Sequence, residues 1–347
     1  MQRMRPLVLA MLTPVLLAGC GTQAAESALP EFTLDADRVS VVGLSSGAAM
    51  AQQVHFAWSD KFIGAGLIAG PPLGCAEGDL GIALGRCMKA QPDAPDAVKL
   101  AERARTLADA GWIAPLSGLD GDRVYVLHGR ADATVDAAVA RASYSIYTAL
   151  QREAATPPVK GMTLVWDDDR DFGHAWPTRE AGQECAVTQA PYIAACGFDA
   201  AGEMLRSLYG EAPREATEAG GAVHRFDQNK FRPDGEDAFL ADEGFLYAPP
   251  QCSDGESCGL VIAFHGCEQN ADALGERFVR DIGLNRWADA HDLVVVYPQT
   301  RASFMPLNPK GCWDWWGYSG ADYDTRNGVQ LRWLANLVDA LGIPLSP

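Results

Sequence analysis

The feature that most restricts the fold is the sequence Gly-Leu-Ser-Ser-Gly at residues 43–47. An apolar, β-branched run precedes it and small residues follow it. The sequence therefore predicts a strand over 38–43, a sharp turn at Ser45 and a helix over 47–57. Glycines two residues before and after the serine permit a turn so tight that side chains there would strike neighbouring backbone. Such a turn exposes the Ser45 hydroxyl beside the N–H groups that open the helix.

Predicted strands and helices alternate along the rest of the chain. Further strands are expected at 62–69, 123–128, 162–166, 244–248, 260–264 and 293–297, and further helices at 94–110, 136–154, 199–209, 271–292 and 325–341. We expect the strands at 244–248 and 260–264 to pair with each other. The alternation predicts an α/β fold with a mainly parallel central sheet flanked by helices. The chain has no long linker or internal repeat, so residues 31–347 are interpreted as a single domain.

A serine on a strand–turn–helix element is the nucleophile position of the α/β-hydrolases. In that fold an acid and then a histidine follow the serine, each in a loop after a strand. Asp132 lies in the loop after the strand 123–128. It is preferred to Asp136, whose place before a helix is that of an N-cap. His174 lies in a glycine-containing loop after a later strand. We therefore predict an α/β-hydrolase fold with Ser45 as nucleophile, Asp132 as acid and His174 as base.

An acyl-transfer site also needs two backbone N–H donors for the oxyanion. One is expected from Ser46, the residue after the nucleophile. The second normally comes from a His-Gly loop on an earlier strand, but no such sequence precedes Ser45. His265 and Gly266 follow the predicted strand 260–264, far downstream. The C-terminal third thus carries elements that usually come before the nucleophile.

This order predicts a circular permutation of the hydrolase fold. Joining Leu341 to Glu31 would restore the usual succession of elements. Because the termini of a domain often lie close together, such a rotation is physically tolerable.

The N-terminus has the pattern of an export signal. Arginines precede an apolar run at 6–18, which is too short for a comfortable membrane span and ends in Leu-Ala-Gly-Cys. The last four residues resemble a bacterial lipobox, so we expect a signal peptide at 1–20, lipid on Cys20 and a short tether at 21–30. The protein is then anchored to the cell envelope, at the outer membrane, or secreted. The alternative is a plain signal peptide cut near 24–25.

Eight cysteines remain once Cys20 is assigned to lipid. An even number in an oxidising compartment predicts disulfides. Proximity in sequence suggests Cys75–Cys87, Cys185–Cys196 and Cys252–Cys258, which leaves Cys267 with Cys312. Other pairings remain open from the sequence alone.

The formal net charge of −17 opposes binding to a phosphate backbone, so no nucleic-acid partner is expected. The local acidic run at 167–169 is interpreted as a solvated loop rather than a metal site. No Cys-x-x-Cys sequence occurs, which argues against a zinc ribbon or a thioredoxin-like site. We expect a monomer with no metal and no organic cofactor.

Several motifs combine in a way that identifies a family. They are Gly-Leu-Ser-Ser-Gly at 43–47, Leu-His-Gly-x-x-Asp at 127–132, Gly-His-x-Trp-Pro at 173–177, Cys-Gly-Phe-Asp-x-x-Gly at 196–202, Phe-His-Gly-Cys at 264–267 and Cys-Trp-Asp-Trp-Trp-Gly at 312–317. Together they resemble the poly(3-hydroxybutyrate) depolymerases, above all the single-domain, circularly permuted extracellular type. The resemblance covers nearly all of residues 31–341.

This resemblance implies a serine esterase that cleaves poly(3-hydroxybutyrate) or related 3-hydroxyalkanoate oligoesters through an acyl-enzyme. It implies that the amides of Ser46 and Cys267 form the oxyanion hole. It also implies a surface crevice for the polyester, lined by aromatic side chains. The candidates are Trp176, Trp313, Trp315 and Trp316, of which at least one is expected to serve only in core packing.

Two other functions remain open at this point. A carboxylesterase of the same fold, of the feruloyl or acetyl-xylan type, would use the same three side chains. A catalytically inactive surface lipoprotein would use the fold only to bind a polymer or partner. The intact set of Ser45, Asp132 and His174 speaks against the inactive binder.

Overall fold

A computed structural model of the chain describes residues 29–152 and 157–345. The expected signal peptide, the lipid site Cys20 and most of the tether at 21–30 lie outside the described residues. Within them, no helix combines the length and the apolar character that crossing a membrane requires.

Strands and helices alternate over most of the described chain. The strands are β1 (Thr33–Leu44), β2 (Gly64–Ile68), β3 (Arg123–Leu127), β4 (Thr163–Asp167), β5 (Trp176–Thr178), β6 (Gln183–Glu184), β7 (Ile193–Ala195), β8 (Ala222–Asp227), β9 (Glu243–Ala248), β10 (Ser257–Phe264) and β11 (Leu293–Tyr297). The helices are α1 (Ser46–Ala57), α2 (Leu80–Leu84), α3 (Arg86–Lys89), α4 (Ala97–Asp109), α5 (Ala137–Gln151), α6 (Ala200–Tyr209), α7 (Pro250–Ser253), α8 (Ala271–Leu274), α9 (Arg277–Asp281), α10 (Leu284–His291) and α11 (Val329–Ala340).

The main sheet has the strand order β4-β3-β2-β1-β10-β11-β9-β8. Its strands are parallel from β4 to β11, and β9 and β8 are antiparallel to their neighbours. The prediction of an α/β fold with a mainly parallel central sheet is confirmed. Because β1, β3, β4 and β10 run in one direction, the loops after their carboxyl ends meet at the same edge of the sheet.

Two apolar layers cover the faces of this sheet. Successive residues of a strand point to opposite faces, so Val41 packs in one layer and Val42 in the other. The first layer contains side chains of α1, α4, α5 and α11, and the second contains side chains of α6, α9 and α10. Helix α1 is buried along its whole length, which explains its high content of small residues.

The predicted pairing of residues 244–248 with 260–264 is wrong. Strand β9 pairs with β8 and β11, whereas β10 pairs with β1 and β11. The short helix α7 and the Cys252–Cys258 disulfide carry the chain past β11, which lies between the two strands. Closeness in sequence suggested a hairpin, but β11, which comes after both strands in the chain, lies between them in the sheet.

The predicted helix at 271–292 is also wrong as one element, because it is divided into α8, α9 and α10. Gly275 and Gly283 adopt positive φ angles of 61° and 83° at the two breaks, a backbone conformation that no α-helix accommodates. No helix was predicted for residues 70–88, but this segment contains α2 and most of α3. Strand β8 and the small sheet of β5, β7 and β6 were not predicted.

Candidate active site

Ser45 occupies the turn between β1 and α1 in a strained conformation, with φ 57° and ψ −120°. Its backbone N–H donates to the carbonyl of Ile68, 2.8 Å away. A Cβ atom at Gly43 would lie 2.3 Å from the Gly47 carbonyl oxygen, and one at Gly47 would lie 2.2 Å from that of Phe264. Only glycine fits at these two positions. The turn thus presents the serine side chain at the carboxyl edge of the sheet, since strain of this kind persists only where the surroundings enforce it.

Asp132 and His174 are joined by a hydrogen bond. The imidazole Nδ1 lies 2.7 Å from Oδ2 of the carboxylate. The other carboxylate oxygen, Oδ1, accepts from the backbone N–H groups of Thr134 at 2.8 Å and Val135 at 3.0 Å. Burial alone would raise the pKa of Asp132, but the bonds from His174 and Val135 outweigh it and hold that pKa below its usual value. The carboxylate is therefore charged and oriented to accept the Nδ1 proton.

The alternative acid, Asp136, accepts from the backbone N–H of Ala138 at 2.8 Å. It is the N-cap of α5, as its position indicated. Its carboxylate therefore serves the helix terminus.

A small, disulfide-bonded subdomain holds the loop of His174. The backbone N–H of His174 donates to the Thr188 hydroxyl at 2.8 Å, and that of Gly173 donates to the Cys185 carbonyl at 2.9 Å. The Cys185–Cys196 disulfide closes this segment beside the strands β5, β6 and β7. His174 is thus positioned from both its backbone and its ring.

A cavity of about 500 Å³ opens at this edge of the sheet. Ser45 and Ser46 lie on its wall together with His174 and Cys267. Apolar side chains form much of the remaining wall, among them Leu80, Leu84, Met88, Val135 and Leu307. The structure therefore brings the predicted serine and histidine to one mostly apolar cavity, with Asp132 behind the histidine.

The backbone N–H groups of Ser46 and Cys267 lie at the cavity and have no hydrogen-bond acceptor among the described residues. The neighbouring N–H of Gly266 is different, because it donates to Oε1 of Gln269 at 2.7 Å. Ser46 is also the first residue of α1, whose N-terminal dipole favours negative charge. Both residues line the cavity that contains Ser45, as the donors of an oxyanion hole must.

His265 supports this loop from within the core. Its Nδ1 donates to the Gly266 carbonyl at 2.7 Å, and its Nε2 accepts from the backbone N–H of Thr300 at 3.2 Å. Complete burial lowers the pKa of His265 to about 4. The imidazole is consequently neutral at neutral pH and acts as a fixed donor and acceptor.

The four tryptophans of the predicted crevice fall into two groups. Trp315 and Trp316 line the cavity. Trp176 is fully buried and packs edge-on against Phe278, and Trp313 packs between Phe264 and His265. The last two lie in the hydrophobic core rather than on the cavity wall: Trp176, the first residue of β5, packs in one apolar layer of the sheet and Trp313 in the other.

The disulfides join the pairs that proximity suggested: Cys75–Cys87, Cys185–Cys196, Cys252–Cys258 and Cys267–Cys312. The last of them connects the loop after β10 to the tryptophan-rich loop across the cavity. In the part of the chain that the structure describes, no group of three or more His, Cys, Asp or Glu side chains is arranged to hold a metal ion.

Sequence reasoning missed several residues that support the site. Thr188 and Gln269 hold the two loops, and neither belongs to a motif that would single it out. His128 donates from Nε2 to the Val135 carbonyl at 3.0 Å, which braces the loop of Asp132. Its position at the end of β3 was visible, but its contact with that loop was not.

Comparison with known proteins gives consistent results. The family model described as "Esterase PHB depolymerase" matches residues 243–339. A poly(3-hydroxybutyrate) depolymerase of Delftia acidovorans is 36% identical over 328 residues, which are 93% of this chain and 63% of that protein. A polyhydroxybutyrate depolymerase of Talaromyces funiculosus is 31% identical over 329 residues, or 91% of this chain and 93% of that protein.

Solved structures show the same likeness. A PHB depolymerase serine-to-alanine variant complexed with R3HB trimer has a TM-score of 0.79 and 28% sequence identity, covering 92% of this chain and 99% of its own. The PHB depolymerase from Penicillium funiculosum has a TM-score of 0.78 at the same identity and coverage. A relative more than 30% identical that aligns over nearly its whole length decides the classification. This chain is a member of the poly(3-hydroxybutyrate) depolymerase family.

Proposed function

We propose that the protein is a serine esterase that hydrolyses poly(3-hydroxybutyrate) or its oligoesters. The observation that carries the proposal is the hydrogen-bonded Asp132–His174 pair beside a cavity that also contains Ser45 on a strained turn. The named activity of the relatives and the trimer bound to one of them support the choice of substrate. The mostly apolar cavity suits a polyester whose repeating unit has one methyl group and one ester.

In the proposed reaction, Nε2 of His174 removes the proton of the Ser45 hydroxyl as its oxygen attacks the ester carbonyl. Asp132 keeps the Nδ1 proton of the ring in place and stabilises the imidazolium that forms. The tetrahedral intermediate then expels the alcohol, which takes the proton from His174. In the second half of the reaction, a water molecule activated by the same ring attacks the acyl-enzyme and releases the acyl group from the serine.

The N–H groups of Ser46 and Cys267 are the proposed donors to the oxyanion. Their lack of an acceptor among the described residues supports this role, as does the bond that occupies the Gly266 N–H. Removing one such donor in an acyl-transfer enzyme costs about 10²–10³ in kcat. Much of the proposed rate enhancement would therefore come from the geometry of this loop.

The direct test is hydrolysis of poly(3-hydroxybutyrate) film and of soluble 3-hydroxybutyrate trimer by the purified protein. We expect release of 3-hydroxybutyrate that is abolished in Ser45→Ala. Hydrolysis of trimer without film would restrict the enzyme to oligomers. If a p-nitrophenyl ester is cleaved but neither 3-hydroxybutyrate substrate is, the serine chemistry stands and the proposed substrate is wrong.

We further propose that the fold is circularly permuted. The strands that follow Ser45 in the chain, β2, β3 and β4, extend the sheet on one side of β1, and the C-terminal strands extend it on the other. The loop with Cys267 follows β10, the neighbour of β1 on that C-terminal side. A re-permuted variant has its new termini between β4 and β8, and a linker joins residue 341 to residue 31. This variant should fold and remain active.

The N-terminal sequence supports export and lipid attachment at Cys20, with the catalytic part acting as a monomer outside the cell membrane. In a bacterial host the full-length protein should partition into the detergent phase, and Cys20→Ser should return it to the aqueous phase. Equal partition of the two forms would argue for a plain signal peptide.

A further inference from the structure

Gln269 is a buried side chain that bonds to two separate loops of the site. It is 1% exposed and lies two residues after Cys267. Its Oε1 accepts from the backbone N–H of Gly266 at 2.7 Å. Its Nε2 donates to the carbonyls of Pro191 and Tyr192, both at 3.0 Å. The reversed amide would set oxygen against two carbonyls and nitrogen against an N–H group, so the partners determine the orientation.

The two carbonyls that Gln269 reaches belong to the segment that positions His174. The Tyr192 carbonyl also accepts from the backbone N–H of Trp176, two residues after the histidine, at 2.8 Å. Thr188 of the same segment accepts from the backbone N–H of His174. One amide side chain therefore connects the loop of the proposed base with the loop of the proposed oxyanion donor.

The bond to Gly266 also decides which N–H group remains available in the cavity. With the Gly266 N–H occupied, the next peptide presents the N–H of Cys267, which has no acceptor among the described residues. The fit is close, because a Cβ atom on Gly266 would lie 2.9 Å from Oε1 of Gln269. With a shorter or apolar side chain at residue 269, the Gly266 N–H would lose its acceptor and its peptide group could rotate.

Other contacts fix the far side of the same loop. The Cys267–Cys312 disulfide attaches it to the tryptophan-rich loop, and a 2.7 Å bond from the Glu268 N–H to the Lys310 carbonyl attaches it to the segment just before that loop. Loss of Gln269 should therefore change the loop's orientation toward His174 without releasing it altogether.

We propose that Gln269 is a positioning residue. It fixes the position of the Cys267 N–H relative to His174, so that the oxyanion donor and the base can act on the same ester group. Its side-chain amide bonds to the two loops, and it acts through those loops rather than on the reacting atoms. This inference rests on the proposed function of Ser45, His174 and Cys267.

The chain offers a matched control in Gln228. That side chain is also 1% exposed. Its Nε2 donates to the carbonyls of Ala241 and Gln299 at 2.7 and 2.9 Å, and its Oε1 accepts from the Gln299 N–H at 2.9 Å. Gln228 makes the same three bonds in the same degree of burial, but it does not line the cavity. Gln269→Met and Gln228→Met should lose similar amounts of stability.

The experiment compares these two variants with Gln269→Glu. The glutamate keeps an acceptor for the Gly266 N–H but removes both donors to the His174 segment. Measurements are kcat and KM on the 3-hydroxybutyrate trimer and on p-nitrophenyl butyrate, and Ki for an alkyl boronic acid that forms a tetrahedral adduct with the serine. Hydrogen exchange is followed in the peptides 264–270 and 186–196, which requires no activity.

We expect Gln269→Met to lose about 10²-fold in kcat, with KM within about threefold, and to bind the boronic acid more weakly by a similar factor. Gln269→Glu should lie between it and the wild type. Gln228→Met should keep kcat within about threefold. Exchange should accelerate in both peptides in the Gln269 variants, and in neither peptide in Gln228→Met.

Equal kcat in the Gln269→Met and Gln228→Met variants would overturn the proposal, as would acceleration of exchange confined to 264–270. Failure of the proposed function is recognised separately, because it is a wild type without Ser45-dependent hydrolysis. In that case the exchange measurements alone decide whether Gln269 links the two loops.

Discussion

Oδ2 of Asp132 lies 2.7 Å from Nδ1 of His174, although the two residues are 42 positions apart and follow different strands of the sheet. The bond forms because β3 and β4 are parallel neighbours, so their loops leave the same edge. Its partners keep the carboxylate charged, with a pKa below the usual value. The bond fixes the orientation of the His174 ring, so the proposed base is already oriented before substrate arrives.

Asp132→Asn should reduce kcat by about 10⁴-fold, because the amide stabilises the wrong tautomer of the histidine. The variant should remain folded, since the amide oxygen can still accept from Thr134 and Val135. Steady-state kinetics on p-nitrophenyl butyrate and the melting temperature measure the two effects. Asp136→Asn is the control: it alters a helix cap of α5, so activity should be retained. A larger loss of activity in the Asp136 variant would transfer the acid role to that residue.

The stability of the protein should fall on acidification from pH 6.5 to 5, before most carboxylates titrate. Burial lowers the pKa of His265 to about 4, whereas its unfolded value is about 6.5. The unfolded chain therefore binds a proton in this range that the folded protein excludes, so the free energy of unfolding decreases by about 1.5 kcal/mol. His291, with a pKa lowered to about 4 by burial and nearby arginines, should contribute a similar amount.

Urea denaturation at several pH values measures this slope. His265→Gln removes the titrating ring, so its free energy of unfolding should depend less steeply on pH, whatever its absolute stability. Identical slopes for the variant and the wild type would show that His265 is not held neutral in the fold.

Gly47→Ala should destabilise the protein by about 3 kcal/mol or more. The added methyl would lie 2.2 Å from the carbonyl oxygen of Phe264, which belongs to β10 and has little freedom to move. Gly220→Ala is the matched substitution at an open position, where the nearest atom is 3.6 Å away, and it should change stability by less than about 0.5 kcal/mol. Chemical denaturation compares them, and similar stabilities would contradict the close approach of α1 and β10.

Trp315→Leu should raise KM for the 3-hydroxybutyrate trimer by about tenfold, because its ring lies on the cavity wall and offers apolar contact area to the substrate. The kcat on p-nitrophenyl acetate, a much smaller ester than the trimer, should change little. Trp333→Leu replaces a buried tryptophan of α11 itself and should lower the melting temperature while leaving KM unchanged. An unchanged trimer KM in Trp315→Leu would remove this residue from the crevice.

The amino-acid sequence by itself determined the local elements of this protein. Gly43 and Gly47 around Ser45 specify the turn, because any side chain at these positions would strike neighbouring backbone atoms. The alternation of strands and helices specifies a parallel sheet, and the loop types after two strands indicated Asp132 and His174 as candidates. These conclusions depend on residue size and spacing within a few positions of the chain, and a linear sequence contains that information.

Only the tertiary structure decided which distant segments became neighbours. It placed β11 between β9 and β10 and directed Trp176 and Trp313 into the core while Trp315 and Trp316 reached the cavity. It also joined Gln269 to a carbonyl 77 positions away. Such contacts depend on how whole layers pack against each other, since burial and hydrogen-bond partners are properties of the assembled sheet and its loops rather than of any one segment.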